Sequence, residues 1–246
     1  MPRLVSAETL DHLAPDDPAA LRSRRDLVRV HRAMGTRSIV MRGWRELELE
    51  LTQRDRLPLR ILEIGAGDGS LLLGVARAMA AQWPPVQLTL LDRQDIVSPA
   101  TLAGYAGLGW STRVLVADVL SWADGPDGGA SGAAQPKWDL ITTTLFLHHF
   151  EGGPLGQLLA AIAARADRFF ACEPRRSWLP LAGSHLIGAI GANAVTREDA
   201  VLSVHAGFRD QEITAMWPLA GSAWRTREFA AGLFSHCFSA QRVFIS

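Results

Sequence analysis

The sequence predicts an α/β fold, in which the strands of a mostly parallel sheet alternate with helices. Short apolar runs of strand length alternate with segments whose apolar residues recur every three or four positions. The most informative stretch, RILEIGAGDGS at residues 60–70, is an apolar run that breaks into three alternate glycines and then into a helical pattern. Glycines let the backbone turn sharply and approach a ligand closely. This stretch therefore predicts a strand, a ligand-binding turn and a helix.

Length and composition fit one such domain. The chain has 246 residues, of which 48% are hydrophobic, so it can bury a sizeable core. Lys and Arg together number 25, and so do Asp and Glu, which gives a net charge of zero. No basic block of the kind that neutralises phosphates is present, so nucleic acid is not an expected partner.

Cysteine usage and hydropathy bear on the compartment. Cys172 and Cys237 are the two cysteines, and both lie in apolar, strand-like runs without metal-ligand spacing. They are expected to be free thiols in a reducing compartment. No apolar run reaches the roughly 18 residues that a membrane span needs, and the N-terminus lacks an apolar signal region. These features predict a cytoplasmic protein without a membrane span.

Two helices are predicted before the first strand. Asp17 is placed to cap a helix over residues 18–33, which Gly35 ends. Thr36 is predicted to cap a second helix, over residues 37–53, whose apolar residues are spaced four, three and four apart.

The elements after the glycine turn continue the alternation. A helix is predicted over residues 70–81, and the second strand, residues 87–91, ends at Asp92. The third strand, residues 112–117, ends at Asp118. In α/β nucleotide folds, an acidic residue about 20 positions past the glycines binds the ribose hydroxyls, which makes Asp92 a ribose candidate. A cap for a helix starting near residue 99 is the alternative role for Asp92.

The fourth strand ends in a cluster of aromatic and histidine residues. Residues 123–136 are rich in glycine and predict a surface loop. The strand that follows, residues 138–146, runs into the letters LHHF. Ligands of open α/β sheets bind at the carboxyl ends of the central strands, so Thr144, Phe146 and His148 are expected near a ligand.

The chain then departs from simple alternation. A helix after residue 152 and a fifth strand, residues 168–174, lead into two further helices, at residues 177–192 and at 196–207, the latter capped by Thr196. The first of these is apolar nearly all round and must be covered on every face. That requirement predicts a cap over a substrate or a dimer interface.

The last elements are a helix and two strands. The helix is predicted over residues 208–217, and the strands over residues 223–229 and 234–245 are joined around Gly232. Periodicity alone predicts alternating strands and helices and does not fix the order of the strands in the sheet.

The glycine turn resembles the first motif of the class I methyltransferases that use S-adenosylmethionine (SAM). Its letters read E-x-G-x-G-x-G from Glu63 to Gly69, whereas a dinucleotide fingerprint needs a further glycine where Ser70 stands. A carboxylate beside the turn also suits the cationic amino acid and sulfonium of SAM better than a pyrophosphate. The resemblance covers residues 60–174 and 208–246.

The resemblance implies the architecture. It implies a Rossmann-like seven-stranded sheet in the order 3-2-1-4-5-7-6 with the last strand antiparallel. The chain would be a single domain, with N-terminal helices in residues 1–56, a core of residues 57–174 and 208–246, and a helical cap in residues 175–207. Strands five and seven would be neighbours, which would bring the two cysteines close together.

The resemblance also implies the activity. The runs FLHHF and CEPRR look like those of small bacterial methyltransferases that modify polyketide or quinone phenols. They imply O-methylation of a small-molecule hydroxyl, with S-adenosylhomocysteine (SAH) as product and a monomer or homodimer. A C- or N-methyltransferase, a non-catalytic SAM-binding protein and a nicotinamide-dependent oxidoreductase stay open. No metal is expected, because the clustered carboxylates of catechol-type enzymes are not evident.

Site residues are carried over position by position. Cofactor binding is assigned to Arg37, Glu63, Gly65, Ala66, Gly67, Gly69, Asp92, Arg93, Asp118, Val119 and Thr144. Acceptor binding is assigned to Phe146, Arg175 and His185, and catalysis to His148, His149 and His205. Among these histidines, His148 is the expected general base, and His149 is expected to pack or to bond to backbone.

Overall fold

Seven strands form one sheet in the order β3-β2-β1-β4-β5-β7-β6, which confirms the predicted order. The computed structural model describes residues 1–47, 58–125, 138–218 and 224–243. The strands are β1 (Leu59–Ile64), β2 (Val86–Asp92), β3 (Ser111–Val116), β4 (Leu140–Thr144), β5 (Arg168–Pro174), β6 (Trp224–Ala231) and β7 (Ser235–Arg242). β1 to β5 pair in parallel, and β7 is antiparallel to both β5 and β6.

Helices cover the sheet and extend beyond it. The α-helices are α1 (Pro18–Met34), α2 (Thr36–Glu46), α3 (Ser70–Met79), α4 (Pro99–Ala106), α5 (Val119–Asp124), α6 (Gly152–Arg165), α7 (Trp178–Leu186), α8 (Ala194–Ala206) and α9 (Glu212–Met216). Short 3₁₀ helices occupy Thr9–His12, Ala80–Gln82, Leu147–His149 and Ile187–Ile190.

The central strands of the sheet are buried on both faces. Alternate residues of a strand point to opposite faces, so Leu62 and Ile64 join the cluster under α6, while Ile61 joins the cluster with Trp44 of α2. Parallel strands covered on both sides are expected to be largely apolar, and β1 has four apolar residues beside Arg60 and Glu63. Glu63 and Asp92 lie toward the carboxyl ends of their strands, whereas Arg60 lies near the amino end of β1.

The glycine turn after β1 requires its glycines. Gly65, Gly67 and Gly69 have φ values of 71°, 55° and 70°, in the left-handed region that other residues rarely adopt. A Cβ on Gly65 would also lie 2.2 Å from the ring of Phe146. Gly69 then begins α3 as its N-cap.

Two predicted helix caps are wrong. Thr36 is the first residue inside α2, whose N-cap is Gly35 without a side-chain hydrogen bond. Thr196 lies inside α8, because this helix begins two residues earlier and Asn193 accepts the amide hydrogen of Thr196 (2.9 Å). Asp17 does cap α1, as predicted.

Some predicted boundaries also shift. The predicted loop over residues 123–136 begins later, because α5 extends to Asp124, and residues 126–137 lie outside the described residues. The predicted last helix, residues 208–217, is shorter, since only α9 forms there. The ends predicted at residues 53 and 245, and residue 223 at the start of a strand, also lie outside the described residues.

The two cysteines lie opposite each other on neighbouring strands of the sheet. Cys172 of β5 pairs with Cys237 of β7, and both are buried free thiols. The predicted proximity is confirmed.

Helices α7 and α8 form the inserted segment after β5. α8 packs on β5, on the turn Leu147–His149 and on the 3₁₀ helix Thr9–His12. On α7, Trp178 and Leu186 are 75% and 69% exposed, so this helix is not covered on every face within one chain. Of the helices in the described part of the chain, none is long and apolar enough to cross a membrane.

Candidate active site

The carboxyl ends of β1 and β2 meet at the glycine turn, where Asp92 is placed. The amide of Gly67 donates to Asp92 Oδ2 (2.8 Å), and the amide of Gln94 donates to Asp92 Oδ1 (2.9 Å). Asp92 thus braces the turn from the neighbouring strand. Ser98, not Asp92, caps α4, which removes the alternative role for Asp92.

Glu63 is a buried carboxyl group at the same edge. It is 3% exposed, and its Oε2 has no hydrogen-bond partner among the described residues. Burial raises the pKa of Glu63 well above its ordinary value, and the charges of Asp92 and Asp68 raise it further. A buried unsatisfied polar group costs about 1–3 kcal/mol, so this oxygen suits a ligand that brings a donor or a positive charge.

The junction of α1 and α2 lies near the turn. His31 of α1 lies close enough to Asp68 for the carboxylate charge to act on its pKa, and His31 Nδ1 is 3.4 Å from Thr36 Oγ1. Burial lowers the pKa of His31 to about 4, which keeps the ring neutral. Arg37, by contrast, is exposed and lies along α3, where a Cβ on Gly74 would be 3.2 Å from its Cδ.

The remaining cofactor candidates are spread along the edge. Asp118 is the N-cap of α5 and accepts the amides of Leu120 and Ser121, which leaves Val119 as the first helical residue. Arg93 is exposed and pairs with Asp11 (3.2 Å). Asp118 and the half-buried Thr144 at the end of β4 thus lie at the same edge as Asp92, while Arg93 points to the N-terminal segment.

The turn after β4 is held by a carboxylate from the neighbouring strand. Glu173 of β5 is fully buried, and its Oε1 accepts the amides of Phe146 (3.2 Å) and Leu147 (3.0 Å). Leu145, just before, has a φ of 53°, a strained value for a residue with a side chain. Strained backbone of this kind clusters at functional sites.

His148 lies between two carboxylates. Its Nδ1 is 2.9 Å from Glu173 Oε2, and its Nε2 is 3.3 Å from Glu8 Oε1. Burial lowers the pKa of His148, but the hydrogen bonds and charges of Glu173 and Glu8 outweigh burial and raise it to about 9. The ring is therefore an imidazolium at neutral pH in this arrangement.

Glu8 belongs to residues 1–12, which we call the N-terminal strap. Ser203 of α8 donates a hydrogen bond to Glu8. Further hydrogen bonds run from the Thr9 and Leu10 amides to Asp199 (2.8 and 3.0 Å), from the Leu4 amide to the His205 carbonyl (3.1 Å), and from the Arg3 guanidinium to the Phe150 carbonyl (2.8 Å). The strap therefore links α8 to the turn after β4.

His149 is more open than His148. Its side chain is 21% exposed, its ring centroid lies 4.3 Å from that of His148 and 6.1 Å from that of Phe146, and its Nδ1 is 3.4 Å from Asp11 Oδ2. Burial and the charge of His148 lower the pKa of His149, so this ring is neutral at pH 7.

The other predicted residues make different contacts. His205 is half-buried on α8 and supplies its backbone carbonyl to the strap, and His185 is exposed on α7. Arg175 lines a separate cavity of about 600 Å³ with Trp178 and Arg209.

Sequence reasoning assigned no role to Glu8 or Glu173. Glu173 carried a detectable signal, because a carboxylate inside an otherwise apolar strand needs a buried partner. Glu8 has no such signal, because no motif in the residues around it indicates that it contacts His148 in the turn after β4.

Comparisons with known proteins identify the class of fold. No protein-family model matches the sequence, and no curated protein matches it. The plantazolicin methyltransferase BpumL, solved with a pentazolic desmethylPZN analog and SAH, matches with a TM-score of 0.60 and 14% identity over 92% of each chain.

Two further solved structures have the same fold. The plantazolicin methyltransferase BamL, solved with a triazolic analog and SAH, matches with a TM-score of 0.59 and 12% identity over 95% of this chain and 93% of its own. The mitomycin 7-O-methyltransferase MmcR matches with a TM-score of 0.53 and 21% identity over 95% of this chain and 60% of its own. At identities of 12–21% the likeness shows the fold: the chain has the architecture of these methyltransferases.

Proposed function

We propose that the chain is a SAM-dependent methyltransferase that methylates a hydroxyl group of a small molecule of phenolic, polyketide or quinol type and releases SAH. The observation that carries this proposal is the buried pair of His148 and Glu173 at the carboxyl ends of β4 and β5, beside a glycine turn of methyltransferase type. The solved methyltransferases of the same fold, two of them with SAH, support it.

The edge formed by β1 and β2 suits SAM. The carboxyl group of Glu63, whose Oε2 has no partner among the described residues, would ionise beside a cation, which the amino group and sulfonium of SAM provide. Asp92 is assigned to the ribose hydroxyls, since it can exchange a backbone donor for a ligand donor. Asp118 and Val119 are assigned to the adenine, and the α1–α2 junction to the carboxylate of SAM. Bound SAM supplies an electrophilic methyl group.

His148 is assigned as the general base. Glu173 accepts a hydrogen bond from Nδ1, which fixes the ring and leaves Nε2 for the acceptor. Glu8 occupies Nε2 here, so the acceptor hydroxyl replaces Glu8 when it binds. Loss of Glu8 removes one of the two contacts that raise the pKa of His148 to about 9. The ring can then take a proton near neutral pH.

In the proposed reaction the hydroxyl proton of the acceptor would pass to His148 Nε2, while the acceptor oxygen would take the methyl group that bound SAM supplies and SAH would leave. General-base catalysis of this kind contributes about 10²–10⁴-fold. Phe146, between the glycine turn and the histidines, is assigned to hold the acceptor ring in line.

N-methylation is the second candidate. Carboxylates of Glu8, Asp11 and Glu173 surround the two histidines, and such a site would attract a cationic amine. The acceptor and the methylated atom are therefore the first things to measure.

A screen for methyl transfer tests the proposal. The purified chain is incubated with methyl-labelled SAM and a panel of phenols, quinols and amines, and both labelled product and SAH are measured. We expect transfer to a hydroxyl compound. Transfer to amines alone would favour the second candidate, and a protein that binds SAM but methylates no compound would favour a non-catalytic SAM-binding role.

A further inference from the structure

Three potential metal-ligand side chains converge where the strap meets the turn after β4. Glu8, His148 and His149 each offer one ligand atom, and these atoms lie within 4.8 Å of one another. His148 Nε2 and Glu8 Oε1 are 3.3 Å apart. Tetrahedral zinc with bonds of about 2.0–2.1 Å places neighbouring ligand atoms roughly 3.3 Å apart. The pair therefore already has the spacing of two ligands of one ion.

Each histidine of this cluster also has a carboxylate beside it. His148 Nδ1 is 2.9 Å from Glu173, which backbone amides hold in place, and His149 Nδ1 is 3.4 Å from Asp11. Metal-ligating histidines almost always donate a second ring N–H to a carboxylate or carbonyl, which orients the ring. For His148, the contact of Nδ1 with Glu173 is such a hydrogen bond.

The charges and ligand types indicate the kind of ion. Three carboxylates, those of Glu8, Glu173 and Asp11, lie beside the two imidazoles. Their negative charge favours binding of a divalent cation. Two imidazoles and one carboxylate suit Zn²⁺ or Co²⁺, whereas Mg²⁺ and Ca²⁺ prefer oxygen ligands alone. Three protein ligands leave one position of a tetrahedron open.

We propose that Glu8, His148 and His149 bind one divalent transition-metal ion of the Zn²⁺ or Co²⁺ class and that this ion inhibits the chain. The ion takes the place of the proton on His148 Nε2, and that proton is released to solvent. It also ties the strap to the turn after β4, because Glu8 belongs to one and His148 to the other. The binding stands on the geometry alone, while the inhibition rests on the proposed function, which needs Nε2 for the acceptor.

The sequence does not indicate this site. It predicts no metal anywhere in the chain, because the clustered carboxylates of catechol-type enzymes are not evident in it. Glu8 is 140 positions from His148, so no motif spacing joins them.

A cobalt titration of the full chain, first treated with a chelator, tests the binding. Four-coordinate Co²⁺ absorbs strongly in the visible range, so we expect this absorption to saturate at one ion per chain and to disappear when Zn²⁺ displaces Co²⁺. Glu8→Gln and His149→Gln should each weaken Co²⁺ by at least about tenfold. The matched control is His185→Gln, an exposed histidine on α7, which should bind as the unmodified chain does.

The same titration can overturn the proposal. No visible absorption at micromolar Co²⁺, or equal affinity in Glu8→Gln, His149→Gln and the unmodified chain, would show that these residues hold no ion. Thermal unfolding of each variant confirms that a lost signal does not come from a lost fold.

An activity assay tests the inhibition separately. With an acceptor in hand, Zn²⁺ should reduce methyl transfer at unchanged SAM affinity, a chelator should restore it, and Glu8→Gln should need at least about tenfold more Zn²⁺. Activation by Zn²⁺ would overturn the inhibitory role. If no acceptor is ever methylated, the proposed function fails while the cobalt titration still decides the metal site.

Discussion

The two halves of the candidate site are built in different ways. The cofactor half is centred on one continuous stretch, Glu63 to Gly69 after β1, which Asp92 of the adjacent strand braces. The acceptor half gathers Glu8, His148 and Glu173 from three distant parts of the chain. A site made from one continuous stretch leaves a motif in the sequence, whereas a site assembled by the fold does not.

The two halves also differ in the state of their buried carboxyl groups. Among the described residues, Glu63 Oε2 has no hydrogen-bond partner, and burial raises the pKa of Glu63, which favours the neutral form until a cation binds. Glu173 accepts three backbone amides and the ring of His148. In the acceptor half, the chain itself supplies a partner for each of these groups, so an acceptor must displace Glu8 from His148 Nε2. In the cofactor half, a bound cation would supply the partner that Glu63 Oε2 lacks among the described residues.

The largest effect is expected in the acceptor half. His148→Ala should lower kcat by about 10²–10⁴-fold with SAM affinity within a few-fold, because the lost interaction belongs to the transition state. Activity should recover as the pH rises toward the pKa of a phenol, about 10, since a phenolate needs no base. Steady-state kinetics across pH measure both, with His12→Ala, at an exposed histidine without an assigned role, as the control. Full turnover of His148→Ala at neutral pH would remove His148 as the base.

The pH dependence of stability should reveal the charged His148. Its pKa is about 9 in the folded chain and near 6.5 when unfolded, so its contribution is complete below pH 6.5 and is lost as the pH rises through 9. The loss is on the order of 3 kcal/mol. Denaturant unfolding between pH 6 and 10 should show this decline in the unmodified chain but not in His148→Gln. Parallel declines in both would show that His148 is neutral in the folded chain.

In the cofactor half, Asp92→Ala should weaken SAM binding by about 1.5–3 kcal/mol, the scale of a charge-assisted hydrogen bond. Asp95→Ala removes an exposed carboxylate three positions further on and should change the affinity little. Titration calorimetry compares the two. Equal affinities for both variants would place the ribose contact on another residue.

The smallest expected effect is that of Glu8→Gln. Removing this charge lowers the pKa of His148, so the limb of the kcat/KM profile that reports His148 should move to lower pH. The gain at neutral pH should be about tenfold or less, since one pKa unit changes the neutral fraction tenfold. Asp11→Asn removes another carboxylate of the strap, near His149, and should leave that limb in place. If the kcat/KM limb that reports His148 stays at the same pH in Glu8→Gln, Glu8 does not contact His148 in solution.

The sequence predicted most of the fold for identifiable reasons. Apolar runs and glycines located the parallel strands, and Gly35 and Asp17 marked the ends of α1 because their roles are local. The strand order came from the family resemblance, since periodicity does not contain it. The cap at Thr36 failed because Gly35 both ends α1 and begins α2, and the cap at Thr196 failed because Asn193, three residues earlier, caps α8.

The candidate site was predictable where a motif or a strand end marks a residue, as the end of β4 marks His148. Glu63 and Asp92 follow from their spacing to the glycines, and the structure places both at the same edge of the sheet. Glu173 gave a weak signal as a charge in a buried strand, and Glu8 gave none, because long-range packing alone brings the strap to His148.

The central claim is that the cofactor half binds SAM. Titration calorimetry of the purified chain with SAH, and separately with NAD, tests it most directly, because the competing interpretation of the glycine turn is a dinucleotide site. We predict binding of one SAH per chain and no heat from NAD. Binding of NAD without binding of SAH would contradict the account.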